Sequence, residues 1–104
     1  MKLDHVAIIV NNIDESVLWY EKNLDAVRLY SDESWGVVRV GDTKIALVIL
    51  NTHPSHIGFK VESPDEFPCK NEEIKSHRDG SRYHYKSDPS GNVIEWIFWP
   101  DLGD

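Results

Sequence analysis

Apolar and polar residues first fall into a regular pattern at residues 4 to 10. Val6, Ile8 and Val10 lie on one side and His5, Ala7 and Ile9 on the other, which predicts a strand. Asn12 then offers an N-cap, and Asp14 and Glu15 fall in the first turn, where a helix favours acids. Ile13, Val17, Tyr20 and Leu24 recur at helical spacing, so a helix is expected to run to about residues 23–25. Three strands follow, at about 26–30, 35–40 and 44–50, with Gly41-Asp42 as a tight hairpin between the last two.

The pattern restarts at His56. Ile57, Phe59 and Val61 form one strand face and His56, Gly58 and Lys60 the other. The polar stretch 63–76 is expected to hold a short helix with Pro68 near its first turn. A strand at 82–86, a turn at Asp88-Pro89-Ser90-Gly91 and a last strand at 92–99 complete the chain. Pro100 ends that strand, and residues 101–104 read as a frayed acidic tail. The order is β-α-β-β-β followed by a shortened second copy. Each half alone exposes one face of a small sheet, which is a physical reason to pair them. The expected class is α+β, one domain with modules at about 1–51 and 55–100.

Composition narrows the function. The 104 residues suffice for one domain, and 40% hydrophobic with 28% charged residues is ordinary for a globular protein. A net charge of −7 argues against nucleic acid as a partner. No apolar run is long enough to span a bilayer, and the opening residues lack signal-peptide organisation. Cys69 is alone, so the chain forms no internal disulfide and the cytoplasm is the expected compartment.

His5, His56 and Glu95 carry the candidate chemistry. Each sits in a strand-like run: DHVAIIV, SHIGFKV and NVIEWIFW. Two imidazoles and a carboxylate suit a borderline divalent metal with open positions. His53 is the alternative to His56. A carboxylate among the apolar neighbours of Glu95 must reach solvent, a cation or a metal, because an unpaired buried charge is costly.

Three segments resemble the vicinal oxygen chelate superfamily, which includes glyoxalase, fosfomycin-resistance, bleomycin-resistance and extradiol dioxygenase relatives. They are LDHVAIIVNNIDESVLWYEKNL, HIGFKV and, most specifically, YKSDPSGNVIEW. The resemblance implies paired βαβββ modules forming a half-open curved sheet around one divalent metal (Fe²⁺, Mn²⁺, Zn²⁺, Ni²⁺ or Co²⁺), held by His5, His56 and Glu95. Ala46 stands where glyoxalase I relatives carry a fourth ligand, which favours a three-ligand site.

The resemblance also implies that Tyr85 reaches toward a small oxygen-rich substrate as hydrogen-bond donor or acid. Lys60 is the expected cationic substrate contact, with Arg82 and Arg78 as weaker ones; the tryptophans read first as core, sheet-face or interface aromatics, and among them Trp35 has the best claim to touch substrate. The implied function is a metal-dependent lyase, isomerase, transferase or dioxygenase that chelates two substrate oxygens. The alternative is a metal-free sequestration protein of the bleomycin-resistance type. A homodimer is expected, since several relatives build their site at a dimer interface.

Overall fold

The computed structural model describes residues 1–100; the expected acidic tail at 101–104 lies outside the described residues. The described chain is α+β, with one α-helix and eight strands. It divides into two compact units. One is His5–His56; the other joins Met1–Asp4 to the chain from Ile57 onward.

The His5–His56 unit carries most of β1 (Lys2–Ile9), then α1 (Ile13–Leu24), β2 (Val27–Ser31), β3 (Trp35–Val40) and β4 (Thr43–Val48). Its strands lie in the order β2-β3-β4-β1. The β1–β4 pair is parallel, and β2–β3 and β3–β4 are antiparallel hairpins. The βαβββ reading of this half holds. The helix starts where its cap places it, because Asn12 Oδ1 accepts from the Glu15 N–H at 2.8 Å. It stops at Asp25, whose left-handed φ of 52° ends the i→i−4 pattern.

Register sorts the side chains of this sheet. His5 pairs with Lys44, Ala7 with Ala46, and Ile9 with Val48. Those partners face Arg39, Val37 and Trp35 on β3. All nine therefore share one face. The opposite face supplies Val38 and Leu47, both fully buried, which pack with Ile13 and Val17 of the helix. The helix thus covers one side of the sheet and leaves the His5 side uncovered by it.

The other unit holds the rest of β5 (His56–Lys60), then β6 (Lys75–Ser76), β7 (Arg82–Ser87) and β8 (Val93–Phe98), in the order β5-β8-β7-β6. Just past β5, the Val61 N–H donates to the Ile97 carbonyl at 2.9 Å. The stretch 63–76 is not the expected short helix. It makes two three-residue 3₁₀ turns, Pro64–Glu66 and Asn71–Glu73. Pro68 separates them and lacks the N–H that would let one continue into the other. The abbreviated strand of this half is the two-residue β6.

The β7–β8 hairpin pairs Tyr85 with Glu95 and Tyr83 with Ile97. Arg82, His84 and Lys86 take the other face, opposite Phe98, Trp96 and Ile94. Its turn is built around Asp88, whose carboxylate accepts from the Ser90 and Asn92 N–H groups and from the Asn92 amide. Gly91 supplies the positive φ, 88°, that the turn needs. No helix among the described residues is long and apolar enough to cross a membrane.

Candidate functional site

In the His5–His56 unit, β1 and the start of β5 bring the two predicted histidines together. Their Nε2 atoms lie 3.0 Å apart, with ring centroids at 5.1 Å and planes nearly perpendicular. His56 is buried, and its Nδ1 lies 2.8 Å from the Pro54 carbonyl. A carbonyl only accepts, so His56 Nδ1 donates to it, and Nε2 is the ring nitrogen left facing His5. A backbone carbonyl on the far ring nitrogen is a common way to orient an imidazole that binds a metal. His53 lies in the bend before β5, and it is His56 that meets His5.

The surroundings of His5 follow from the register. Ala7 and Ala46 sit side by side on its face and leave room there. The position expected to carry a fourth ligand in a glyoxalase I site is thus a methyl group. Trp35 is on the same face, half-buried, with its ring centroid 4.9 Å from that of Tyr30. Lys44 stands beside His5 and adds a cation to this face. Sequence reasoning passed over Lys44, although strand alternation through KIALV carried the signal. A surface groove of about 640 Å³ near the start of α1, lined by Asn12, Asp14, Arg28 and Asp32 among others, contains none of the predicted residues.

In the other unit the centre is Glu95, in the middle of β8 and only 1% exposed. The His77 Nε2 lies 3.0 Å from its Oε2. Tyr85, its partner across the hairpin, also hydrogen-bonds to it. Burial pushes the Tyr85 hydroxyl far above the usual phenol range, and the Glu95 charge and the hydrogen bond push it the same way. Tyr85 therefore stays protonated at neutral pH and acts as a donor. Burial and the Glu95 charge also raise Tyr83.

The remaining predicted residues spread out. Lys60 is half-buried at the end of β5, on the side that alternation shares with His56 and Gly58. Arg82 pairs with Phe98 and so occupies the face of β7 opposite Tyr85 and Glu95. Arg78 lies in the turn between β6 and β7.

Sequence reasoning missed His77. It lies just beyond a two-residue strand, where no periodicity can mark it. The available signal was Asp79-Gly80, a hairpin dipeptide. A register drawn around that turn sets His77 opposite Ser81, and the His77 N–H does donate to the Ser81 carbonyl at 2.9 Å. Alternation then puts His77 on the face of Tyr83 and Tyr85.

Among solved structures, the methylmalonyl-CoA epimerase of Mycobacterium tuberculosis superposes with a TM-score of 0.77 at 18% identity, over 96% of this chain and 89% of the epimerase. A Streptomyces coelicolor methylmalonyl-CoA epimerase in complex with 2-nitronate-propionyl-CoA gives 0.72 at 15% identity, over 97% and 99%. A glyoxalase/bleomycin resistance protein/dioxygenase superfamily member from Vibrio splendidus gives 0.63 at 11%, over 90% and 95%. These matches span nearly the whole chain, and the expected resemblance is borne out as a shared fold. No family model matches the chain, and no curated protein does.

Proposed function

We propose that this chain is a divalent-metal-dependent enzyme that binds a small substrate through two adjacent oxygens. It would be a single domain built from the two modules, with His5, His56 and Glu95 as the metal ligands. The observation that carries this reading is the approach of the two imidazoles. One ion taking a nitrogen from each ring at about 2.1 Å would need the two nitrogens within about 4.2 Å of each other. The Nε2 atoms of His5 and His56 are 3.0 Å apart. The Pro54 carbonyl holds His56 Nδ1, and the metal-binding atoms of all three residues are buried, where a carboxylate would otherwise be expensive.

A bound metal would supply a Lewis acid that holds the two substrate oxygens and stabilises the charge developing on them. The chain's own residues do the rest. Ala7 and Ala46 leave space beside His5 for the substrate. Tyr85 keeps its proton and donates it to Glu95; a substrate oxygen would gain this donor only by displacing that bond. Trp35 offers an apolar wall on the His5 face, and Lys60 a cation for an anionic substrate. Arg82, on the other face of β7, has the weakest claim to touch substrate. Among the reaction types, the likeness to methylmalonyl-CoA epimerases favours redox-neutral isomerase chemistry over oxygenation. A cytoplasmic location fits the lone cysteine.

Metal analysis of the purified protein beside His56→Ala and Glu95→Gln tests the site. The expected result is near-stoichiometric metal in the wild type and loss in both variants; equal metal content in all three would sink the proposal. Oxygen uptake during turnover would move the assignment to a dioxygenase.

A second reading has one observation in its favour. The same 3.0 Å contact is also the length of an N–H···N hydrogen bond between two imidazoles, which needs no ion. A metal-free binding protein of the bleomycin-resistance type would keep it. A wild type that takes up no divalent metal would select this reading.

A further inference from the structure

We propose that His77 is a positioning residue for Glu95, and that the short hairpin from residue 75 to 83 exists to deliver it. The inference rests on the metal reading above and adds a residue that reading does not use.

The geometry is built from the turn outward. Asp79 accepts from both the Ser81 N–H and the Ser81 hydroxyl, at 2.9 and 2.6 Å. The His77 N–H donates to the Ser81 carbonyl, and the Gly80 N–H returns to the His77 carbonyl at 3.1 Å. Ser81 is fully buried, which anchors the turn. Gly80 sits at φ 91°, a conformation that glycine adopts without strain. The backbone at His77 is therefore fixed from both sides.

The ring is fixed as well. Its centroid lies 3.7 Å from that of Tyr83, with only 9° between the planes. Stacking leaves the imidazole able to slide but not to tilt, and its Nε2 meets Glu95 Oε2 at 3.0 Å. The His77 side chain is 21% exposed, against 1% for Glu95. A surface turn thus sends one donor inward to a buried carboxylate. Tyr85 already reaches the buried Glu95 from across the hairpin, and His77 adds a second donor, at Oε2, that narrows the orientation of the carboxylate further.

A carboxylate fixed in this way meets a metal with less ordering left to do. Groups that orient ligands commonly govern metal affinity by about 10–100-fold. The shortened second module is then a working part. A longer β6 would carry the turn, and His77 with it, away from this position.

His77→Gln and His77→Asn provide the test. The Gln amide reaches about as far as an imidazole Nε2; the Asn amide stops one methylene short. The readout is the metal dissociation constant, measured by chelator competition, beside the melting temperature of the metal-free proteins. The expected result is about 10–100-fold weaker binding for His77→Asn, with His77→Gln within a few-fold of wild type. Equal affinity in all three would overturn the role. So would equal weakening in both variants, or a change confined to the metal-free melting temperature. A wild type that binds no metal would instead remove the metal reading itself, and this proposal with it. The two failures are thereby distinguishable.

Discussion

At the scale of single residues, two carboxylates illustrate opposite solutions to one problem. Glu95 is buried and depends on donors brought to it from β7 and the turn before it, whereas Asp88 is half-buried and collects its donors from its own turn. Removing the Tyr85 hydroxyl should leave the Glu95 carboxylate short of a donor. Tyr85→Phe is expected to cost about 1.5–3 kcal/mol, the range for hydrogen bonds to charged groups. Urea unfolding of the metal-free protein measures it, and a loss below about 0.5 kcal/mol would mean that the bond contributes little to the fold. Asp88 predicts a pH dependence instead. Its hydrogen bonds to Asn92 hold the carboxyl below its ordinary value of 3.8. The unfolded chain therefore binds this proton more readily than the folded one. The turn's contribution is complete above about that ordinary value and is lost as pH falls through the lower folded one. Thermal melts of wild type and Asp88→Asn should converge in that acid range; a constant gap down to low pH would contradict this.

Among the elements, helix α1 and the sheet it covers are the most tightly specified. Gly36 on β3 is a point of close approach between them. A Cβ added there would lie 3.0 Å from Ile13 Cγ2 and 3.3 Å from the Tyr30 carbonyl oxygen. Ile13 is itself packed in the core and has little room to yield. Gly36→Ala is thus expected to destabilise by about 1–3 kcal/mol through overpacking. A denaturation midpoint equal to wild type would show that the helix can lift without cost.

This element was legible because three independent signals agreed: the Asn12 cap, the acids after it, and the stripe Ile13, Val17, Tyr20. The hairpin at Gly41-Asp42 and the turn at Asp88 to Gly91 were legible for the same reason, since turn chemistry punctuated alternating strands. The stretch 63–76 was not. Two prolines and a scatter of acids fit a helix start as well as a 3₁₀ turn. Strand ends moved by one or two residues, with β1 starting at Lys2 and ending at Ile9, because alternation does not say where pairing stops. For the site, His5, His56 and Glu95 were each readable as polar residues at strand positions, whereas His77 depends on a register that a two-residue strand barely announces.

At the scale of the whole molecule, the chain leaves large apolar side chains uncovered. On α1, Leu18, Trp19 and Leu24 are 53%, 55% and 43% exposed. Apolar side chains grouped on one element commonly mark a surface that a partner covers. With a net charge of −7 disfavouring nucleic acid, a second copy is the proposed occupant. Light scattering at micromolar concentration should give twice the mass of one chain. Trp19→Lys should shift the equilibrium toward the single chain. A wild-type mass of one chain would remove the homodimer from the proposal.

The parallel pairing of β1 with β4 bears on the order of events when the chain folds. The hairpins β2–β3 and β3–β4 join neighbours in sequence, whereas β1 meets its partner only after the chain has passed through α1, β2 and β3. Closing that long loop is entropically dearer than zipping either hairpin. We expect the nucleus to form around β3 and β4, and β1 to dock late. Val38→Ala should then slow folding, and Ala7→Gly should chiefly speed unfolding. The reverse partition would place β1 in the nucleus. If the expected order holds, His5 reaches its place only near the end. Metal added during refolding should then leave the early rate unchanged and act on the last step, when a native imidazole pair first becomes available to it.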